Sequence, residues 1–172
     1  MKMKLKLFAL ALFTIASASC YAQAGVYMFS TAFPGTISGG VHNQETPITS
    51  YSRAYSVNTS APGGATNNGF TILKPYGSNS VTLKDKQWRG QSLGAKVEFR
   101  FYDNNDVMYY KITLGSGVFI TDIVESGEVC PTSCAGISEQ IKFDFAAVEE
   151  RDVLNNFFRC WNFNNQSPAC PN

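Results

Sequence analysis

At 172 residues the chain has the length of one domain, and 44% hydrophobic with 13% aromatic residues excludes a wholly disordered polymer. Charged residues make up only 16%, below the ~25% of an average soluble domain. A formal net charge of +1 excludes the basic footprint of a nucleic-acid binder.

The first two dozen residues read as a cleaved secretory signal, leaving a single domain over 25–172. Lys2, Lys4 and Lys6 precede an apolar run at 7–15, and Ala22-Gln23-Ala24 is an A-x-A pattern that places cleavage between Ala24 and Gly25. The run is too short for a membrane span, which needs ~20 residues. Ser17-Ala18-Ser19-Cys20 has the outline of a lipoprotein site, with serine where an aliphatic residue usually stands, so lipidation of Cys20 stays open. Losing this segment removes three lysines and no acid, and leaves Cys130, Cys134, Cys160 and Cys170. An even count in an exported chain reads as disulfides. Of the three pairings available, the expected one is local, Cys130–Cys134 and Cys160–Cys170.

Along the mature chain, residues 25–33 are strand-forming and end at Pro34-Gly35. Residues 46–57 are β-prone, with Pro47 confining their start to an edge. Residues 58–69 (NTSAPGGATNNG) read as a turn-rich loop, and order resumes at 70–73. A helix is expected over 78–89, capped by Ser78 or Ser80, presenting Val81, Lys84 and Trp88 on one face and stopping at Gly90. Val97, Phe99 and Phe101 alternate with charged neighbours, and the turn Asp103-Asn104-Asn105-Asp106 joins that strand to 107–114 as a hairpin. Gly115-Ser116-Gly117 predicts a bulge, with 118–124 continuing the same arm. Residues 139–148 (EQIKFDFAAV) place Ile141, Phe143, Phe145 and Ala147 on one face and Gln140, Lys142 and Asp144 on the other, a strand between core and water. Residues 154–163 fit both a helical and a strand template.

Catalytic chemistry has little material. His42 is the single histidine, so no two-histidine metal site exists and only a hydrolase using His42 with a serine remains; the plainer reading is a loop histidine bonded to backbone. Neither metal nor cofactor is expected. The acids Glu149 and Glu150 point to opposite faces of a strand, and Asp103 and Asp106 sit in a turn, so neither pair suits glycoside hydrolysis. Tyr51, Tyr55, Tyr76, Trp88 and Trp161 leave sugar stacking open.

In order and spacing, these motifs resemble the haemolysin-coregulated protein (Hcp) family, the tube subunit of bacterial type VI secretion. The resemblance runs from about Tyr27 to Gln166. It rests on Tyr27-Met28-Phe29, on Gly35, Ser38 and His42, and on Ser50-Tyr51-Ser52-Arg53, where both tryptophans of the family's strand are replaced. Phe70-Thr71 and Ala95-Lys96 bracket the helix, and 110–114, 139–148 and Cys160-Trp161-Asn162 follow. The resemblance implies a mainly β fold, a compact barrel of two sheets with one flanking α-helix, and a strand at 157–163. It also implies six-membered rings and no catalytic residues. The signal, the even cysteine set and the short 58–69 loop depart from tube subunits. The sequence reading is therefore a secreted, disulfide-stabilised, non-catalytic Hcp-like protein from a Gram-negative bacterium, exported by a route such as type II secretion. A genuine type VI tube component is the alternative. Its partners are a protein or further copies of itself, with Tyr51, Arg53, Lys142 and Asp144 as candidate contact residues.

Overall fold

The computed structural model describes residues 24–58, 64–127 and 136–171. The expected Cys130–Cys134 pair and the signal up to Gln23 lie outside them. In chain order the elements are β1 (Gly25–Phe29), β2 (Glu45–Ile48), β3 (Ser50–Asn58), β4 (Gly64–Pro75), α1 (Ser80–Trp88), β5 (Lys96–Tyr102) and β6 (Met108–Gly115), then β7 (Phe119–Gly127), β8 (Ile137–Asp144), β9 (Ala147–Asp152) and β10 (Phe157–Asn162). One antiparallel sheet has the order β10-β9-β6-β5-β1-β2, the other β3-β4-β8-β7. Successive strand pairs therefore alternate between the sheets, and the mainly β reading with one helix holds.

That alternation corrects three expectations. The β-prone stretch at 46–57 is two strands in different sheets, divided at Thr49, whose N–H donates to the Leu73 carbonyl at 2.7 Å. Gly115-Ser116-Gly117 is a corner rather than a bulge: Ser116 and Gly117 take φ of 60° and 86°, and β7 leaves for the other sheet. Residues 139–148 likewise turn a corner, with β8 ending at Asp144 and β9 starting at Ala147. Period-two alternation survives such corners because Phe145 and Ala147 stay buried on the same side.

Two further differences are local. The first strand stops at Phe29, where Ser30 turns the chain and its Oγ accepts the Ala32 N–H at 3.1 Å. Residues 64–69, expected as loop, open β4, because backbone pairing with β3 supplies what side-chain periodicity lacks. Asn67 ties this end down, donating to the Phe145 carbonyl at 2.9 Å and accepting the Gly69 N–H at 2.8 Å.

The core lies between the sheets. Phe70 of β4 stacks on Phe99 of β5 with centroids 4.3 Å apart, and Phe99 meets Phe143 of β8 edge-on at 5.9 Å. Met28, Ile72, Leu93, Ile112, Leu114 and Ile141 surround them without solvent exposure beyond 1%. Each such side chain contributes roughly 1.5–3 kcal/mol by leaving water.

The helix is seated by charge as much as by grease. Its expected face is reversed: Val81 and Trp88 are exposed and Leu83 is buried. Asn79 stands at the cap position without a side-chain cap bond, and Gly90 at φ 59° ends the helix as expected. Ser80 turns inward instead, its Oγ accepting the Gly77 N–H and the Lys74 ammonium, each at 2.9 Å, and donating to Glu139 at 2.6 Å. Lys74 and Glu139 face each other across β4 and β8 as a buried ion pair at 2.5 Å. Lys74 spends its remaining donor on the Pro75 carbonyl at 2.9 Å.

Candidate functional site

No helix among the described residues is long and apolar enough to cross a membrane. The sequence-derived contact residues fall in two places. Tyr51 and Arg53 come together on β3, an edge strand whose alternate side chains point toward the six-stranded sheet. Tyr51 stacks on Phe70 at 5.7 Å and meets Phe101 edge-on at 5.2 Å, while Arg53 crosses the seam to pair with Glu150 of β9. Tyr110 of β6 donates its hydroxyl to the second Glu150 oxygen at 2.9 Å. Lys142 and Asp144 lie elsewhere, on the solvent side of β8 beside Asn67, whose amide donates to Asp144 at 3.2 Å.

Beside the Arg53–Glu150 pair the seam opens into a cavity of about 340 Å³. Tyr55, Val148, Glu150, Arg159, Trp161 and Phe163 line it. It exists because β9 and β10 extend the six-stranded sheet and β3 ends the four-stranded one. Tyr55 stacks on Phe163 at 5.6 Å, and Gln166 closes the far end by exchanging two hydrogen bonds, each of 3.0 Å, with the Ala65 backbone. Sequence reasoning found Tyr51 and Arg53 but missed Glu150 and Arg159. Their only local signal was a charge on a strand parity that elsewhere carries rings.

His42 is not the backbone-bonded loop residue expected. Its Nδ1 lies 2.8 Å from the buried carboxylate of Glu45 and its Nε2 lies 3.3 Å from Asp106, with the ring stacked on Tyr27 at 3.9 Å. Both ring nitrogens are thus occupied by carboxylates, and no serine hydroxyl contacts either among the described residues. That removes the geometry of a serine–histidine hydrolase. Asp103 accepts the N–H groups of Asn105 and Val107 at 2.8 and 3.0 Å, the role of a turn residue. Glu149 and Glu150 do take opposite faces, Glu149 accepting from Arg151 at 2.7 Å and Glu150 turned into the seam.

Cys160 and Cys170 are joined as a disulfide with Cα atoms 4.7 Å apart. The Glu149 carboxylate lies within 4.8 Å of both sulfurs, yet sulfurs bonded to each other are not thiolates and make poor metal ligands.

The outer face of the six-stranded sheet carries charge in cross-strand rows. Arg151, Lys111 and Arg100 stand side by side in register, as do Glu149, Thr113 and Glu98 one step along. Arg100 donates to Glu98 at 2.6 and 2.8 Å and to Glu45 at 2.9 Å, and Lys111 donates to Glu98 at 2.9 Å. Burial alone would raise the Glu98 carboxyl, but hydrogen bonds from Lys111 and Arg100 outweigh it and hold the group below 4.5. Burial, and then the hydrogen bonds and charges of Glu45 and Glu150, push the phenols of Tyr102 and Tyr110 up to about 12. A depressed carboxyl stabilises the fold above its unfolded pKa and stops doing so as pH falls through the folded one; a raised phenol stabilises below its unfolded pKa and stops as pH rises. The urea midpoint is therefore expected to hold through neutrality, to drop below pH 4.5 and to drop again between pH 10 and about 12. A Glu98→Gln variant should show a shallower acid limb, and an unchanged limb would remove Glu98 from this account.

By sequence, no family model and no curated protein matches the chain. Solved structures do. Hcp1 from Salmonella typhimurium superposes at a TM-score of 0.71 with 12% identity, over 83% of this chain and 97% of that one. The fold is that of Hcp. Hcp3 from Pseudomonas aeruginosa, described as a secreted protein, gives 0.60 at 15% identity over 81% of this chain and 98% of that one. A type VI secretion system effector from Yersinia pestis gives 0.64 at 16% identity over 80% and 98%. At such identities the likeness carries the Hcp architecture alone.

Proposed function

We propose that this chain is an exported Hcp-like protein that works by contact with a protein partner or with further copies of itself, and catalyses no reaction. The observation that carries this reading is the Hcp fold combined with unpartnered edges. Four edge strands, β2, β10, β3 and β7, bound the two sheets, and Leu154, Phe157 and Phe158 stand exposed at the β9–β10 end. Exposed rings next to an open strand edge favour association. The occupied nitrogens of His42 support the non-catalytic part.

In this reading the signal is removed after Ala24, the single mature domain oxidises on the far side of the inner membrane, and the folded protein leaves by a route such as type II secretion. Light scattering on the oxidised mature protein tests association. A concentration-dependent mass consistent with a ring is expected, and Leu154→Asp with Phe158→Asp should return it to a monomer. A monomer at every concentration would sink the ring version. The second reading, a type VI component, is favoured by the likeness to a type VI effector. Export from cells that lack the type VI apparatus would eliminate it.

A further inference from the structure

The cavity between β3 and β10 has a composition that the contact-protein reading does not use. Its walls are rings, Tyr55, Trp161 and Phe163, and its floor is Val148. Its charges do not cancel. Glu150 is cross-strand from Arg159, but its two oxygens are engaged by Arg53 and by the Tyr110 hydroxyl. Arg159 is left at the cavity mouth with no carboxylate within ion-pair distance among the described residues, its guanidinium 5.5 Å from the Phe157 ring centroid. A volume of about 340 Å³ lies within the usual range of small-molecule sites, roughly 300–1,000 Å³.

We propose that this cavity binds a small aromatic carboxylate, its ring between Tyr55 and Phe163 and its carboxylate on the Arg159 guanidinium. Rings prefer offset or edge-on aromatic partners, which the stacked Tyr55–Phe163 pair and Trp161 provide. A guanidinium presents a planar fork of donors that matches a carboxylate in two parallel hydrogen bonds. No anionic wall opposes it, because the only carboxylate lining the cavity is already neutralised. A neutral ring would gain the stacking alone, and a cation would meet Arg159.

Calorimetry of the oxidised mature protein with 2-naphthoate and its neutral analogue 2-naphthamide tests the assignment. The acid should bind about tenfold more tightly, the size of one charge-assisted hydrogen-bonded contact. Arg159→Gln should bring the acid to the level of the amide and leave the amide unchanged, and Arg159→Lys should fall between. Tyr55→Ala should weaken both ligands alike. In the amide spectrum of the protein, 2-naphthoate should move the indole N–H resonance of Trp161 and spare that of the exposed Trp88. Absence of binding at millimolar ligand, equal affinities for acid and amide, or an Arg159→Gln variant that keeps the preference would each overturn the proposal. None of these outcomes depends on oligomeric state, so failure here is separable from failure of the association reading.

Discussion

Glu139→Ala is expected to lower the unfolding free energy by about 3–5 kcal/mol, the range for breaking one side of a buried ion pair. Lys74 has no exposure and Glu139 has 1%, so the ammonium left behind can reach no water without local unfolding. It would keep two neutral acceptors, the Pro75 carbonyl and Ser80 Oγ, and lose its only charged one at bonding distance. Ser80 would also lose the acceptor for its hydroxyl, which loosens the first turn of α1. The apparent Tm should fall by on the order of 10 °C. A double variant, Lys74→Met with Glu139→Leu, removes both charges and keeps the volume, and should recover most of the loss. Urea denaturation of the three proteins decides this. A Glu139→Ala midpoint within error of wild type would mean that Lys74 finds another partner. A double variant as poor as the single would mean that packing rather than charge holds the helix.

Glu139 also shows where the sequence stops being legible. It lies on the same strand parity as Ile141 and Phe143, so period-two reasoning assigns it to the core face. A carboxylate at the start of a strand nevertheless reads as a solvated end. Only its cross-strand neighbour, Lys74, makes burial tolerable, and the two are 65 residues apart in sequence. Arg53 and Glu150 have the same character at a separation of 97. Elements with strong alternation, β5 and β8, were legible because one face is ring or aliphatic and the other is charged. Corners were not, since a chain that changes sheets at Thr49 or Phe145 keeps its inside and outside while changing its partners. The start of β4 was hidden for the opposite reason. Gly64, Thr66 and Asn67 have no strand propensity worth naming, and the strand there is held by the backbone of β3 and by Asn67 and Gln166 side chains. The cavity follows from sheet order, which local periodicity does not encode.

Removing the disulfide with Cys160→Ser and Cys170→Ser should cost ~2–3 kcal/mol, on the loop entropy of a bridge spanning a short segment. The sequence separation is 10, so the effect is near the low end for native bridges. The question is whether the loss is global or only frees the tail. Three contacts argue for a global effect. Asn162 and Ser167 exchange backbone bonds at 2.8 and 3.2 Å, Gln166 holds the first residues of β4, and Pro171 is buried against Gly115 of β6. A Cβ on Gly115 would lie 2.3 Å from Pro171 Cβ, so glycine at that position is what lets the tail close over the strand. Opening the bridge therefore uncovers the end of β6 as well as the tail itself. Urea titration of the serine double variant, with wild type under the same oxidising conditions, measures the global part, and hydrogen exchange at Ala65 measures the local part. Both should change together. Faster exchange at Ala65 with an unchanged urea midpoint would reduce the bridge to a clamp on the tail. Reductant is the weaker test, since it also reaches Cys130 and Cys134, whereas the serine variant isolates the one bond that ties the last turn of the chain to β10.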